Sequence, residues 1–286
     1  METVNFVFQT DSKIITNTFR FNPNYLIEYD ENVDSPDKYC AIYFSSNDIY
    51  YPNNVHMFKV QIVERNRFEW YNTRVKRGSK HIFIRDIKKQ WYLNGINEKL
   101  NSIEKVVEFL RTETKGYKTI AIGSSAGGFA AVLFGSLLNA ETIYSFNGQF
   151  LLNDLLKRST QKTDPIIFRE KDNPAINKYY SLRPYVNGSK IFYFFSNRSA
   201  CDVNQFKHVS DLQVNYIPFR TSHHGIPFLK SSLNYVINYP INELEKLSNK
   251  LQSPLLFSLK IEGPVKTMLS ITKQTYKYLN RKIFNS

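Results

Sequence analysis

Short apolar runs that break abruptly into polar residues recur along this chain. "YCAIYFSSND" (39–48), "KHIFIRD" (80–86) and "YKTIAIGSS" (117–125) have this form, as do "AETIYSFNG" (140–148), "SKIFYFFS" (189–196) and "LQVNYIPFRTSHHG" (212–225). Such runs read as parallel strands buried on both faces, with functional groups at their carboxyl ends. Helical spacing falls between them. Ile103, Val106, Val107 and Leu110 share one face, and Phe129, Val132, Leu133 and Leu137 another. "LKSSLNYVINYPI" (229–241) reads as a closing helix ending near Pro240.

Alternating strand and helix predict an α/β architecture, a doubly wound, mostly parallel sheet. Upstream, "VNFVFQT" (4–10) and "KIITNTFRF" (13–21), joined by a polar turn, predict N-terminal antiparallel strands. The segment 151–186 interrupts the rhythm and carries Pro165, Pro174 and Pro184. It reads as a lid-like insertion over the carboxyl edge of the sheet, or as an ordinary long connection. The domain therefore spans 1–248, with a tail at 249–286. That tail is basic and amphipathic: Val265, Met268, Leu269, Tyr276, Leu279 and Ile283 fall on one side, with lysines and arginines largely off it. Packing on the protein's own core is the expected role, and docking on an anionic membrane or a partner complex the alternative.

The 286 residues carry a formal charge of +13 and are 42% hydrophobic, which suits one large globular domain. The positive balance favours anionic partners, but no long basic run or nucleic-acid module is present, so nucleic acid is not expected. "METVNFVFQTDSK" has neither the basic start nor the apolar core of a signal peptide, and Cys40 and Cys201 form no C-x-x-C pair. A cytoplasmic protein without a structural metal is the expectation.

Gly123-Ser124-Ser125-Ala126-Gly127 matches G-x-S-x-G between a predicted strand and a predicted helix. That context holds a serine hydroxyl clear of the sheet, and the Ala126 N–H lies where an oxyanion would form. G-x-G-x-x-G is absent, which argues against a dinucleotide-cradling turn. A serine nucleophile needs a base oriented by an acid, and on this fold the chain order is Ser, acid, His. His224 is the preferred base because Gly225 lets its loop bend; His223 is the reserve, and His208 falls in a predicted helix. Asp202 is the first carboxylate after the preceding strand, with Asp211 as the alternative. The backbone N–H of Ser46 or Asn47, after the earlier strand, is the candidate second oxyanion donor.

From about Tyr39 to Ile237 the chain resembles serine α/β-hydrolase-fold enzymes acting on bacterial surface glycans, with the capsular polysaccharide O-acetyltransferases nearest. "YFSSN", "IRDIKKQWYLNG", "GSSAGGFAA", and the late Asp202 with "HHG" carry the resemblance. It implies acetyl-CoA as acyl donor and a polysaccharide or oligosaccharide acceptor, and the positive charge of the chain suits an anionic one. A peripheral place beside a membrane or capsule-assembly complex is the alternative that the basic tail offers. The resemblance also implies that Asp86 and Trp91 lie near the pocket. A helix-capping Asp86 and a core Trp91 are the alternative. An esterase or deacetylase with the same residues, or a non-catalytic adaptor, completes the set of readings.

Overall fold

All six strands expected between 39 and 219 form, and they join one sheet with a seventh. In the computed structural model, which describes residues 10–33, 36–157, 159–160, 162–186 and 188–284, the strands are β1 (Tyr25–Tyr29), β2 (Tyr39–Phe44), β3 (Gly78–Ile84), β4 (Lys118–Ser124), β5 (Thr142–Phe146), β6 (Lys190–Ser196) and β7 (Asn215–Phe219). Their order across the sheet is β1-β3-β2-β4-β5-β6-β7. Only β1 runs antiparallel, against β3; every other pair is parallel. β4 thus sits mid-sheet, and its carboxyl end is a natural crevice.

Central strands are apolar through most of their length because both faces are covered. β2 is buried at every position. On one face the helices Ile103–Glu113 and Ala126–Leu137 cover the sheet. On the other, Phe68, Trp70, Phe228, Val236 and Ile261 close it. The expected face of Ile103, Val106, Val107 and Leu110 is buried. The helix after Ser125 is enclosed almost all round, so its composition is apolar rather than amphipathic.

The N-terminal expectation needs correction. "KIITNTFRF" is a helix, Lys13–Phe21, in which Ile15, Thr18 and Phe19 are buried at helical spacing. Ile15 and Phe19 pack with Tyr50, Phe58, Ile62 and Ile87. The segment also satisfies a strand-like pattern, and this tertiary cluster decides the outcome. The antiparallel strand is Tyr25–Tyr29 instead, and "VNFVFQT" lies, except for Thr10, outside the described residues. The predicted closing helix is shorter than expected: a 3₁₀ turn runs into Leu233–Val236, and a new helix begins after Pro240.

The insertion contains the short helices Asn153–Leu156, Pro165–Arg169 and Pro174–Asn177. Ile166, Ile167, Tyr180 and Leu182 anchor it in the core. The Tyr180 hydroxyl donates to the Ile167 carbonyl, and the Ile166 N–H donates to the Gln90 side chain. At the chain's end, Phe257 and Ile261 join the second core cluster. Beyond them the helix Pro264–Phe284 leaves Val265, Met268, Leu269 and Tyr276 exposed, so those four side chains do not make the expected packing. The side chains of Leu279 and Ile283 lie outside what is described. Among the described residues no helix is long and apolar enough to cross a membrane.

One buried cation gives stability a pH dependence. Lys89 is 1% exposed, with its Nζ 3.6 Å from the Tyr50 ring centroid and donating to the Tyr50 carbonyl. Burial pulls its pKa down to about 7, against the opposing pull of Asp48 and Asp86. Between there and the ordinary lysine range the unfolded chain binds the proton and the folded chain does not. Stability therefore rises with pH across that window and is lowest below it. Lys89→Met is expected to raise Tm at about pH 6, with the gain shrinking toward about pH 9. Thermal melts of both proteins across that range check it.

Candidate active site

Ser125 stands between the last residue of β4 and the first of the helix Ala126–Leu137, with φ 52° and ψ −120°. A non-glycine residue rarely adopts such a φ, and holding one there costs of order 1–3 kcal/mol. The flanking glycines make the turn possible. A Cβ on Gly123 would lie 2.0 Å from the Gly127 carbonyl oxygen, and one on Gly127 would lie 2.2 Å from the Phe44 carbonyl oxygen. Both contacts are with backbone, which cannot step aside as a side chain could. Ser125 occupies the helix N-cap position, yet its side chain caps nothing. The turn holds the hydroxyl free instead.

That hydroxyl meets His224 Nε2 at 2.8 Å, and His224 Nδ1 meets Asp202 Oδ1 at 2.8 Å. A carboxylate only accepts, so Nδ1 carries the proton and Nε2 is left to accept from Ser125. Asp202 is 1% exposed and lies in the first turn of the helix Ala200–Val209, where the helix dipole favours a negative charge. Its second oxygen, Oδ2, is buried without a hydrogen-bond partner. Such an orphan is costly to keep, and the helix does not need Asp202 as its cap, because Ser199 is the N-cap and its side chain accepts the Asp202 N–H.

The loop carrying the histidine is tied to the sheet rather than free. Asn147, buried just after β5, donates to the carbonyls of His223 and Gly225, and Ser196 at the end of β6 also donates to the His223 carbonyl. Gly225, at φ +107°, turns the chain there. Thus His223 contributes its backbone to the anchor, and His224 its ring to Ser125. Asp211 and His208 are engaged away from the serine: Asp211 is paired to Arg183, and His208 Nε2 bonds to Ser181.

The oxyanion candidates divide. Ala126 opens the helix, so its N–H has no acceptor one turn back. The Ser46 N–H, in contrast, is committed to Glu69 Oε2 at 2.5 Å, and Ser46 Oγ donates to Glu69 Oε1 at 3.0 Å. Glu69 therefore holds the loop after β2 and takes one of the two amides proposed for the oxyanion. Asn47 is the other. Burial raises the Glu69 carboxyl pKa, while the two bonds from Ser46, then Lys230 and Arg67, work against the rise.

Asp86 and Trp91 play different parts. Asp86 is buried and accepts the N–H groups of Lys88, Gln90 and Tyr92, clamping a loop in which Lys89, Trp91 and Tyr92 all have positive φ. Burial raises its pKa and those three bonds oppose the rise. It shapes the loop. Trp91 donates from Nε1 to Gln149 Oε1 at 3.1 Å, and Gln149 Nε2 lies 3.4 Å from Ser125 Oγ. Sequence reasoning missed Gln149, Asn147 and Glu69. The polar "NGQ" directly after β5 was the available signal for the first two, and Glu69 had none.

Two cavities flank His224. One of about 580 Å³ is lined by Ser46, Asn47, Glu69, Ser125 and Lys230. The other, about 370 Å³, is lined by Gln149, Asp154, Lys157, Asp202 and Asn204. From the insertion, Asp154 and Leu155 of its first helix and the following Lys157 line this second cavity.

Fold and site together define an α/β-hydrolase-like chain in which a serine, a histidine and an aspartate form a hydrogen-bonded series at the carboxyl edge of the sheet. No protein-family pattern matches the sequence, and no curated protein matches it. Among solved structures, the capsule O-acetyltransferase of Neisseria meningitidis serogroup A is similar at 12% identity, with 68% of this chain and 83% of that chain covered and a TM-score of 0.48. A protein of unknown function from Staphylococcus aureus Mu50 is 10% identical over 78% of this chain and 94% of its own, with a TM-score of 0.48. An inhibited esterase B from Lactobacillus rhamnosis is 12% identical over 91% and 92%, with a TM-score of 0.43.

Proposed function

We propose that this protein is a serine-dependent O-acyltransferase, taking an acetyl group from acetyl-CoA to a hydroxyl of a bacterial surface polysaccharide or oligosaccharide. The observation that carries the acyl-enzyme part is the pair of 2.8 Å contacts from Ser125 through His224 to Asp202, on a backbone turn strained to present the hydroxyl. Acetyl-CoA and a glycan acceptor are chosen from the motif resemblance, and the net charge of +13 suits the CoA phosphates and an acidic glycan.

In this reading Ser125 Oγ attacks the thioester carbonyl carbon while its proton passes to His224 Nε2. The oxyanion faces the Ala126 N–H and, from the loop after β2, the Asn47 N–H. Collapse breaks the carbon–sulfur bond, and the leaving thiolate takes the proton from His224. The acceptor hydroxyl then gives its proton to His224 and attacks the acyl-enzyme. A second collapse frees Ser125, which recovers a proton from the imidazolium. Asp202 holds the tautomer throughout.

Hydrolysis uses the same residues with water as acceptor. Purified protein given acetyl-CoA with and without capsule oligosaccharide separates the two. Transfer predicts acetyl ester on the sugar and faster CoA release when sugar is present. Acetate released at one rate, with or without sugar, would make the protein an esterase.

A further inference from the structure

The side-chain amide of Gln149 is oriented by chemistry. An indole nitrogen only donates, so the 3.1 Å contact from Trp91 Nε1 fixes Oε1 toward the tryptophan. Nε2 must then face the opposite way, where it stands 3.4 Å from Ser125 Oγ and 3.5 Å from His224 Nε2. Both ends of this arrangement are rigid. Asp86 clamps the loop that carries Trp91. Directly after Gln149, the side chain of Gln205 accepts the N–H groups of Phe150 and Leu151 and donates to the Leu151 carbonyl. A donor held within reach of both the serine and the histidine, on the wall of a cavity, has no structural need for that direction.

Gln149 lines the cavity of about 370 Å³, whereas Ser46 and Asn47 line the larger one; His224 borders both. Once Ser125 is acylated, its oxygen no longer gives a proton to His224. The imidazole is then free to accept from an incoming hydroxyl, and the Gln149 N–H to donate to a lone pair of the same oxygen. We propose that Gln149 is a catalytic residue for the acceptor: its Nε2–H holds the attacking alcohol oxygen beside His224, and the smaller cavity takes a polyhydroxyl acceptor. Asp154, Lys157 and Asn204 on its wall supply both donors and acceptors for further hydroxyls. The attacking O–H proton goes to His224 Nε2, the new ester bond forms at the acyl carbon, and the bond to Ser125 Oγ breaks. This assignment rests on the acyl-enzyme reading above. Water needs only the imidazole to attack, but a polyol must also have its oxygen held while the rest of the molecule fills the cavity.

The test uses the full chain with p-nitrophenyl acetate and glycerol as the probe alcohol, scoring glyceryl acetate against acetate above the uncatalysed background. Both products arise from one acyl-enzyme, so their ratio does not depend on how fast that species forms. Gln149→Ala is expected to lower the ratio about tenfold, the loss of one bond to an oriented oxygen. Trp91→Phe, which keeps an aromatic ring and removes the aiming N–H, should shift it in the same direction, and it decides the matter if Gln149→Ala does not fold. An unchanged ratio in the folded variants, or no glyceryl acetate from the wild type, overturns the assignment. Release of p-nitrophenol from the wild type no faster than from Ser125→Ala would instead overturn the acyl-enzyme reading itself.

Discussion

Ser125→Ala should lose acyl transfer and ester hydrolysis by on the order of 10⁵–10⁶-fold while remaining folded, as loss of a serine nucleophile does elsewhere. The loss follows from removing the only atom that would carry the acyl group. The persistence of the fold follows from what the hydroxyl touches. It bonds to His224 and Gln149 and caps no turn of the helix it precedes. Alanine at φ 52° bears the same backbone strain that serine already bears, so Tm should move by only a few degrees. Activity with p-nitrophenyl acetate and a thermal melt, measured on the same preparation, check both halves. A variant that keeps its activity would leave a folded α/β protein whose serine turn has no chemical role.

Asp202→Asn is expected to cost roughly 10³–10⁴ in kcat with little change in KM. An asparagine amide can donate to His224 Nδ1. The ring would then carry its proton on Nε2, where it cannot accept from Ser125. The 2.8 Å contact with Nδ1 makes this a specific expectation, and the unpartnered Oδ2 sharpens it. With its NH2 on Nδ1, asparagine still leaves an oxygen at that buried, unpartnered position but a neutral one, which costs less to bury than a carboxylate's, so the variant should be about as stable as wild type, and slower. Steady-state kinetics beside denaturant melts separate this outcome from simple unfolding.

Much of the scaffold and the site was legible in the chain. The strands β2 to β6 announced themselves because a strand buried on both faces can hardly be anything but a short apolar run, and the edge strand β7 was marked by the apolar core of its own run. Ser125 was marked by glycines whose absent side chains are required by backbone contacts near 2 Å. Asp202 and His224 were reached from the order of elements, since each follows a strand whose carboxyl end points into one crevice.

What escaped had no local signature. Lys13–Phe21 fits a strand pattern nearly as well as a helical one, and only the packing of Ile15 and Phe19 decides between them. The commitment of the Ser46 amide to Glu69 joins residues 23 positions apart, and the Trp91–Gln149 contact joins residues 58 apart. Trp91 reaches its partner only because its loop runs through several positive-φ residues, a conformation that side-chain identity alone does not announce. Exposure of Val265, Met268, Leu269 and Tyr276 is equally unreadable from an amphipathic stripe, which looks the same whether or not anything covers it.

Reaction with a fluorophosphonate, followed by peptide mapping, probes activation of the serine without assuming any substrate. Stoichiometric labelling of Ser125 in the wild type, lost in His224→Ala, is the expected result. A wild-type Ser125 that stays unlabelled, or labels equally well without the imidazole, would contradict the account.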